Sequence, residues 1–217
     1  MKKTAVILLL MLCLSALCGC RADFDPAVFV QGELDLVYRN QYTDPFLKAT
    51  GMTEEAAAQR YAAGIEAEMG YFAEAFGIDL SLCGEDVKEA LRDVCRQLCS
   101  HAKYEVGAAE ETDGGYRVTV TVRPVDIIRQ VRETDGAAFT EAWTARYNKG
   151  EFDTLTEQQY EEEWAQGVLS LFRDRLENVD YQEPETVTVE ITRGEEQGQY
   201  VIDAEDLARV DALVLAY

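Results

Sequence analysis

The sequence contains one histidine, His101, and only four prolines among its 217 residues. A Ser-His-Asp or Cys-His mechanism would have to run through His101, and no Gly-x-Ser-x-Gly elbow accompanies it. Basic residues are scarce as well: 20 Lys and Arg stand against 41 Asp and Glu, a formal charge of −21. Such a surface repels phosphate backbones and excludes nucleic acid as an expected partner. No glycine-rich loop leads into a helix with Lys and Ser or Thr; Gly114 and Gly115 fall instead in an expected hairpin turn. Asp174, Glu177 and Asp180 follow one another along an expected helix rather than around a tight calcium loop. Cys95, Cys99 and His101 carry zinc-type donors, but His101 falls off the face the two cysteines share, and a fourth ligand is lacking. No metal and no cofactor is expected.

The first twenty residues are the most specific feature present. Lys2 and Lys3 precede an apolar run of thirteen residues, 5–17. That run is too short to cross about 30 Å of hydrocarbon as a helix. Leu17-Cys18-Gly19-Cys20 follows and resembles the lipobox of bacterial lipoproteins, with small Gly19 and Leu17 at −1 and −3 from Cys20. The resemblance implies a signal peptide over 1–19 and a diacylglyceryl group on Cys20. It also implies a short lipidated tether over 20–25 and a location on the extracytoplasmic face of the cell membrane. Loss of residues 1–19 leaves 18 basic against 41 acidic residues, a formal charge of −23. Beyond the anchor only Cys83, Cys95 and Cys99 remain, an odd number that argues against a disulfide framework. Burial as small apolar side chains is the expected use, with one bridge from Cys83 to Cys95 or Cys99 as the alternative.

Residues 26–217 read as a single α+β domain. Helices are expected at 26–39, from Thr53 as N-cap to Gly77, at 85–102, at 126–147 with a bend near Asp135-Gly136, from a Thr156/Gln159 capping box onward, and at 204–216. Period-two alternation marks short strands at 104–108 and 116–123, and again at 186–192 and 200–203. The second hairpin is expected to turn through 194–198. The helix–hairpin order partly repeats, as 26–125 and 126–217. The two hairpins are therefore expected to join as one four-stranded antiparallel sheet covered by helices, since neither is stable alone.

Aromatic residues at the connections and on the long helices suggest a concave groove for a small ligand or peptide, with Tyr38, Tyr42, Tyr147 and Trp164 as its candidate lining. Their helical spacing also fits core packing. No catalytic residue is nominated. Glu161 and Glu162 could serve a paired-carboxylate hydrolase of peptides or cell-wall glycan, but read more economically as solvated helix residues. The expected function is non-enzymatic binding of a small ligand, peptide or envelope protein at the membrane. A hydrolase and a structural or assembly spacer are the alternatives.

With those segments placed, the chain resembles a family of uncharacterised lipoproteins from Gram-positive bacteria. The likeness rests on residues 29–38 (FVQGELDLVY), 48–56 (KATGMTEEA), 102–106 (AKYEV), 115–124 (GYRVTVTVRP), 184–190 (PETVTVE) and 198–207 (GQYVIDAEDL). It implies the anchor and the architecture, and carries no catalytic residue to this sequence.

Overall fold

A computed structural model describes residues 24–194 and 200–217. The signal segment 1–19, the lipid-attachment residue Cys20, most of the 20–25 tether and most of the expected 194–198 turn lie outside the described residues. The fold is α+β, with helices packed against a four-stranded antiparallel sheet of order β1-β2-β3-β4. The helices in chain order are α1 (Pro26–Arg39), α2 (Asp44–Thr50), α3 (Glu54–Phe76) and α4 (Glu85–Ser100). The strands β1 (Lys103–Thr112) and β2 (Gly115–Arg123) follow. Then come α5 (Ile127–Gln130), a π-helical turn (Val131–Asp135), α6 (Gly136–Asn148) and α7 (Glu157–Leu176). The chain closes with β3 (Glu185–Arg193), β4 (Tyr200–Ile202) and α8 (Ala204–Val214).

The chain divides into two compact units. The first comprises residues up to Gly64, Ala102–Pro124 and Glu183–Val214, and it contains both hairpins; the second comprises Ile65–His101, Val125–Gln182 and Leu215–Tyr217.

In the first unit β2 pairs with β3 from Gly115↔Thr192 to Val122↔Glu185, which joins the hairpins into one sheet. Val118, Val120, Val122, Val187, Val189 and Ile191 turn one way and are buried, while Arg117, Thr119, Thr188 and Glu190 face water. Helices α1 and α8 cover the apolar face. This is the one-sided alternation that antiparallel sheets favour. Both outer strands are blunted. β1 carries a bulge between Val106 and Ala109 and exposed Lys103, Glu105, Glu110 and Glu111. β4 is only three residues long. Beyond it, Asp206 of α8 accepts the Glu190 N–H at 2.7 Å and Arg209 donates to the Thr188 carbonyl at 3.3 Å, so side chains of the helix satisfy the open edge of β3.

In the second unit α4, α6 and α7 pack together, and α7 begins at the capping box expected from sequence: Thr156 Oγ1 accepts from Gln159 N at 3.2 Å and Gln159 Oε1 from Thr156 N at 3.0 Å. Phe72, Phe76 and Phe172 form one aromatic group. Trp143 with Phe139, Phe152, Tyr160 and Trp164 forms another. The bend expected near Asp135-Gly136 takes the form of the π turn, which adds a residue to the helical ladder. Cys83, Cys95 and Cys99 are all buried and are not joined in a disulfide. The segment around Pro45, read as a link, is a helix of seven residues: Thr43 caps it, Pro45 lies in its first turn and Gly51 ends it at φ 67°. No helix among the described residues is long and apolar enough to cross a membrane.

Candidate functional site

One concave surface of the first unit grows from the way α1 ends. Asn40 adopts the left-handed region at φ 52° and ψ 40°, which asparagine tolerates better than most residues. The Gln41 N–H then bonds back to the Asp35 carbonyl at 3.1 Å and turns the chain along the helix it has just left. Helix α2 can lie close because Gly32 has no side chain: a Cβ there would collide with the Phe46 ring. Between α1, this returning loop and β1 is a cavity of about 560 Å³. Ala27, Val28, Gln31 and Asp35 line it along one face of α1, Tyr42 and Thr43 from the loop, and Val106 from the edge strand. Val28 is 45% exposed although apolar, and Tyr42 is half-exposed.

The charged group in the cavity wall, Asp35, is paired. Asp35 accepts from the Tyr104 hydroxyl at 2.6 Å, from Arg39 Nη1 at 3.1 Å and from Gln31 Nε2 at 2.8 Å. Arg39 also donates to the Ala102 carbonyl and stacks 4.7 Å over the Tyr104 ring. Burial, then the hydrogen bond to Asp35, pushes the Tyr104 hydroxyl far up from its ordinary pKa, so it stays a donor. Asp35 is the one carboxylate in the lining, and it is already matched by three donors. Such a surface offers apolar contact from Val28, Val106 and the Tyr42 ring with neutral hydrogen-bonding groups beside it. It is suited to holding an amphipathic group rather than to transferring protons.

The four aromatic residues nominated from sequence fall in different settings. Tyr42 lines the cavity. Tyr38 is 2% exposed, and its hydroxyl donates to Asp211 at 3.1 Å. Both belong to the first unit. Trp164 and Tyr147 belong to the second: Trp164 donates its indole N–H to the Phe76 carbonyl at 3.0 Å within the aromatic group, whereas Tyr147 is 62% exposed. Cys20 lies outside the described residues.

The second unit has its own cavity, of about 610 Å³, beside the π turn. Asp135, Asp174, Arg175 and Asp180 line it with Phe139 and Leu171. Arg175 holds Asp135 with one guanidinium edge, Nε at 2.7 Å and Nη2 at 2.9 Å, and keeps its carboxyl below the usual range. Asp180 accepts from Gln130 at 3.2 Å.

Glu161 and Glu162 are not simply solvated. Glu161 accepts the Asp79 N–H at 2.7 Å and Glu162 the Gly84 N–H at 2.9 Å, so the pair holds the loop between α3 and α4. Hydrogen bonds from Gln158 and then from Gly84 keep the Glu162 carboxyl below its ordinary value. The sequence signal was the acidic run itself; what it lacked was the identity of the backbone donors. No group of three or more acidic, cysteine or histidine side chains suited to a metal ion occurs among the described residues.

No family model and no curated protein matches this sequence. Among solved structures, the fold is similar to that of a candidate lipoprotein from Bacillus subtilis, with a TM-score of 0.60 and 13% sequence identity. The similarity covers 88% of this chain and 56% of the other, so this chain spans little more than half the length of that protein. At this identity the likeness shows a shared fold.

Proposed function

We propose that this chain is an extracytoplasmic lipoprotein, anchored through a diacylglyceryl group on Cys20, whose folded body is a non-enzymatic binding module. The lipobox and the short apolar run before it support the anchor. Structural likeness to a candidate lipoprotein is consistent with that address. The observation that carries the binding role is the cavity between α1 and β1, where exposed Val28 and half-exposed Tyr42 stand beside a floor whose charges are already paired. Its occupant would be a small amphipathic ligand, or an apolar side chain of a peptide or envelope protein.

Titration with Nile red, a neutral apolar dye, tests the reading without repulsion from the acidic surface. The wild-type chain should bind it. Val28→Arg should weaken binding about tenfold, which corresponds to about 1.4 kcal/mol, with the urea midpoint unchanged because Val28 is exposed. Equal dye affinity in wild type and variant would remove the cavity from the account.

A further inference from the structure

Phe24, the first described residue, is already part of the fold. Its ring lies parallel to that of Tyr200 on β4, with centroids 3.8 Å apart and planes within 6°. It also meets Tyr116 of β2 at 5.7 Å and Phe29 of α1 at 5.4 Å. Tyr116 and Tyr200 lie 5.7 Å from each other, and a hydrogen bond between their hydroxyls raises the Tyr116 pKa. Immediately after the clasp, Asp25 accepts the N–H groups of Ala27 and Val28 at 3.0 and 3.1 Å and starts α1. The backbone is thus held on both sides of the Phe24–Asp25 bond, at the end of the sheet that carries the Asp113–Gly114 turn.

Only Arg21, Ala22 and Asp23 separate this clasp from Cys20. Four Cα–Cα steps span at most about 14 Å. The headgroup zone of one leaflet occupies roughly 5–8 Å of that, taking about 40–45 Å for the bilayer and about 30 Å for its hydrocarbon. We infer that the end of the sheet bearing Phe24, Tyr116, Tyr200 and the Asp113–Gly114 turn faces the phospholipid headgroups, and that Phe24 sets this orientation. The inference rests on the anchoring of Cys20 proposed above. Half-exposed tyrosines suit the headgroup level, where an apolar ring and a polar hydroxyl are both accommodated. Electrostatic attraction does not supply the orientation, since the exported chain carries −23 and Glu111 and Asp113 are exposed beside the turn. Covalent reach supplies it, so it should be the same on zwitterionic and anionic bilayers.

The test uses the full lipidated chain in phosphatidylcholine vesicles containing a lipid with a nitroxide on its headgroup. A fluorophore is attached at Asp113→Cys or at Arg123→Cys; the three native thiols beyond the anchor are buried. β2 separates the two labels by about 27 Å at 3.4 Å per residue, and quenching at position 113 should exceed that at 123 by at least about threefold. Phe24→Ala should bring the ratio close to one. So should about twelve Gly and Ser residues inserted after Asp23, which leave the clasp intact and give the tether a root-mean-square reach of about 19 Å. Equal quenching of the two labels on the lipidated wild type would overturn the inference alone. An unchanged ratio in Phe24→Ala would overturn the role of Phe24, and an unchanged ratio in the insertion variant would overturn covalent reach as the cause of the orientation. A chain without lipid on Cys20 would overturn the anchoring reading together with the inference.

Discussion

Cys95 shows how burial decides chemistry at a single side chain. It is fully buried on α4, and burial, followed by the charge of Glu68, holds its thiol far above the ordinary range. Cys83 is raised for the same first reason, with Glu161 and Glu162 adding to it. Both shifts disfavour the thiolate, which is the nucleophilic form. Iodoacetamide should leave Cys83 and Cys95 unmodified in native protein and alkylate both in urea; native modification measured by peptide mass would contradict their assignment to the core. The same shifts set a pH dependence. Unfolded thiols ionise near about 8.5, whereas these remain protonated, so the unfolded chain releases protons first. The stability they contribute is fully present below about pH 8.5 and is lost as pH rises above it. Urea midpoints should therefore fall between about pH 7.5 and 9.5. The hydroxyls of half-buried Tyr104 and Tyr217, both raised, act in the same direction at higher pH. Asp126 works oppositely: Arg129, Gln130 and Gln182 all donate to its carboxylate and hold it below its usual value. Its contribution is present above about pH 4 and lost as pH falls through its depressed value.

Helices and strands were legible in sequence where pattern and punctuation coincide. Pro26, Pro124 and Pro184 mark boundaries that the structure keeps, the Thr156/Gln159 box starts α7 as expected, and the valines of β2 and β3 form the buried face. Helix α2 escaped because seven residues offer too few turns for a period to register. Strand β1 extends to Thr112 although its later residues are Ala and Glu, since pairing with β2 outweighs their low strand preference. The candidate site was legible only in Tyr42. The remaining walls come from a helix face, an edge strand and a loop that an asparagine in the left-handed region turns back along the helix, which spacing alone does not announce. Gly32 is the hidden requirement of that geometry. Gly32→Ala should push Phe46 from the site it fills beside α1 and cost about 1–3 kcal/mol by urea denaturation. An unchanged midpoint would mean that α1 and α2 do not depend on their close approach. Removal of the Asp206 carboxylate by Asp206→Ala should leave the Glu190 N–H without its acceptor, at a cost of about 1–3 kcal/mol.

At the scale of the whole molecule, the proposed reading joins an anchor at Cys20 to a folded body with an apolar cavity. The charges nearest its apolar cavity are paired, the thiols of Cys83 and Cys95 are shifted toward the protonated form, and its acidic run on α7 fastens a loop. The proposed address and orientation depend on the chain being held at a membrane by Cys20. Intact mass of the protein extracted from membranes is the most direct test. The account predicts a chain that begins at Cys20, lacks residues 1–19 and carries a diacylglyceryl group on that residue. A chain that begins elsewhere, or bears an unmodified thiol at Cys20, would contradict it.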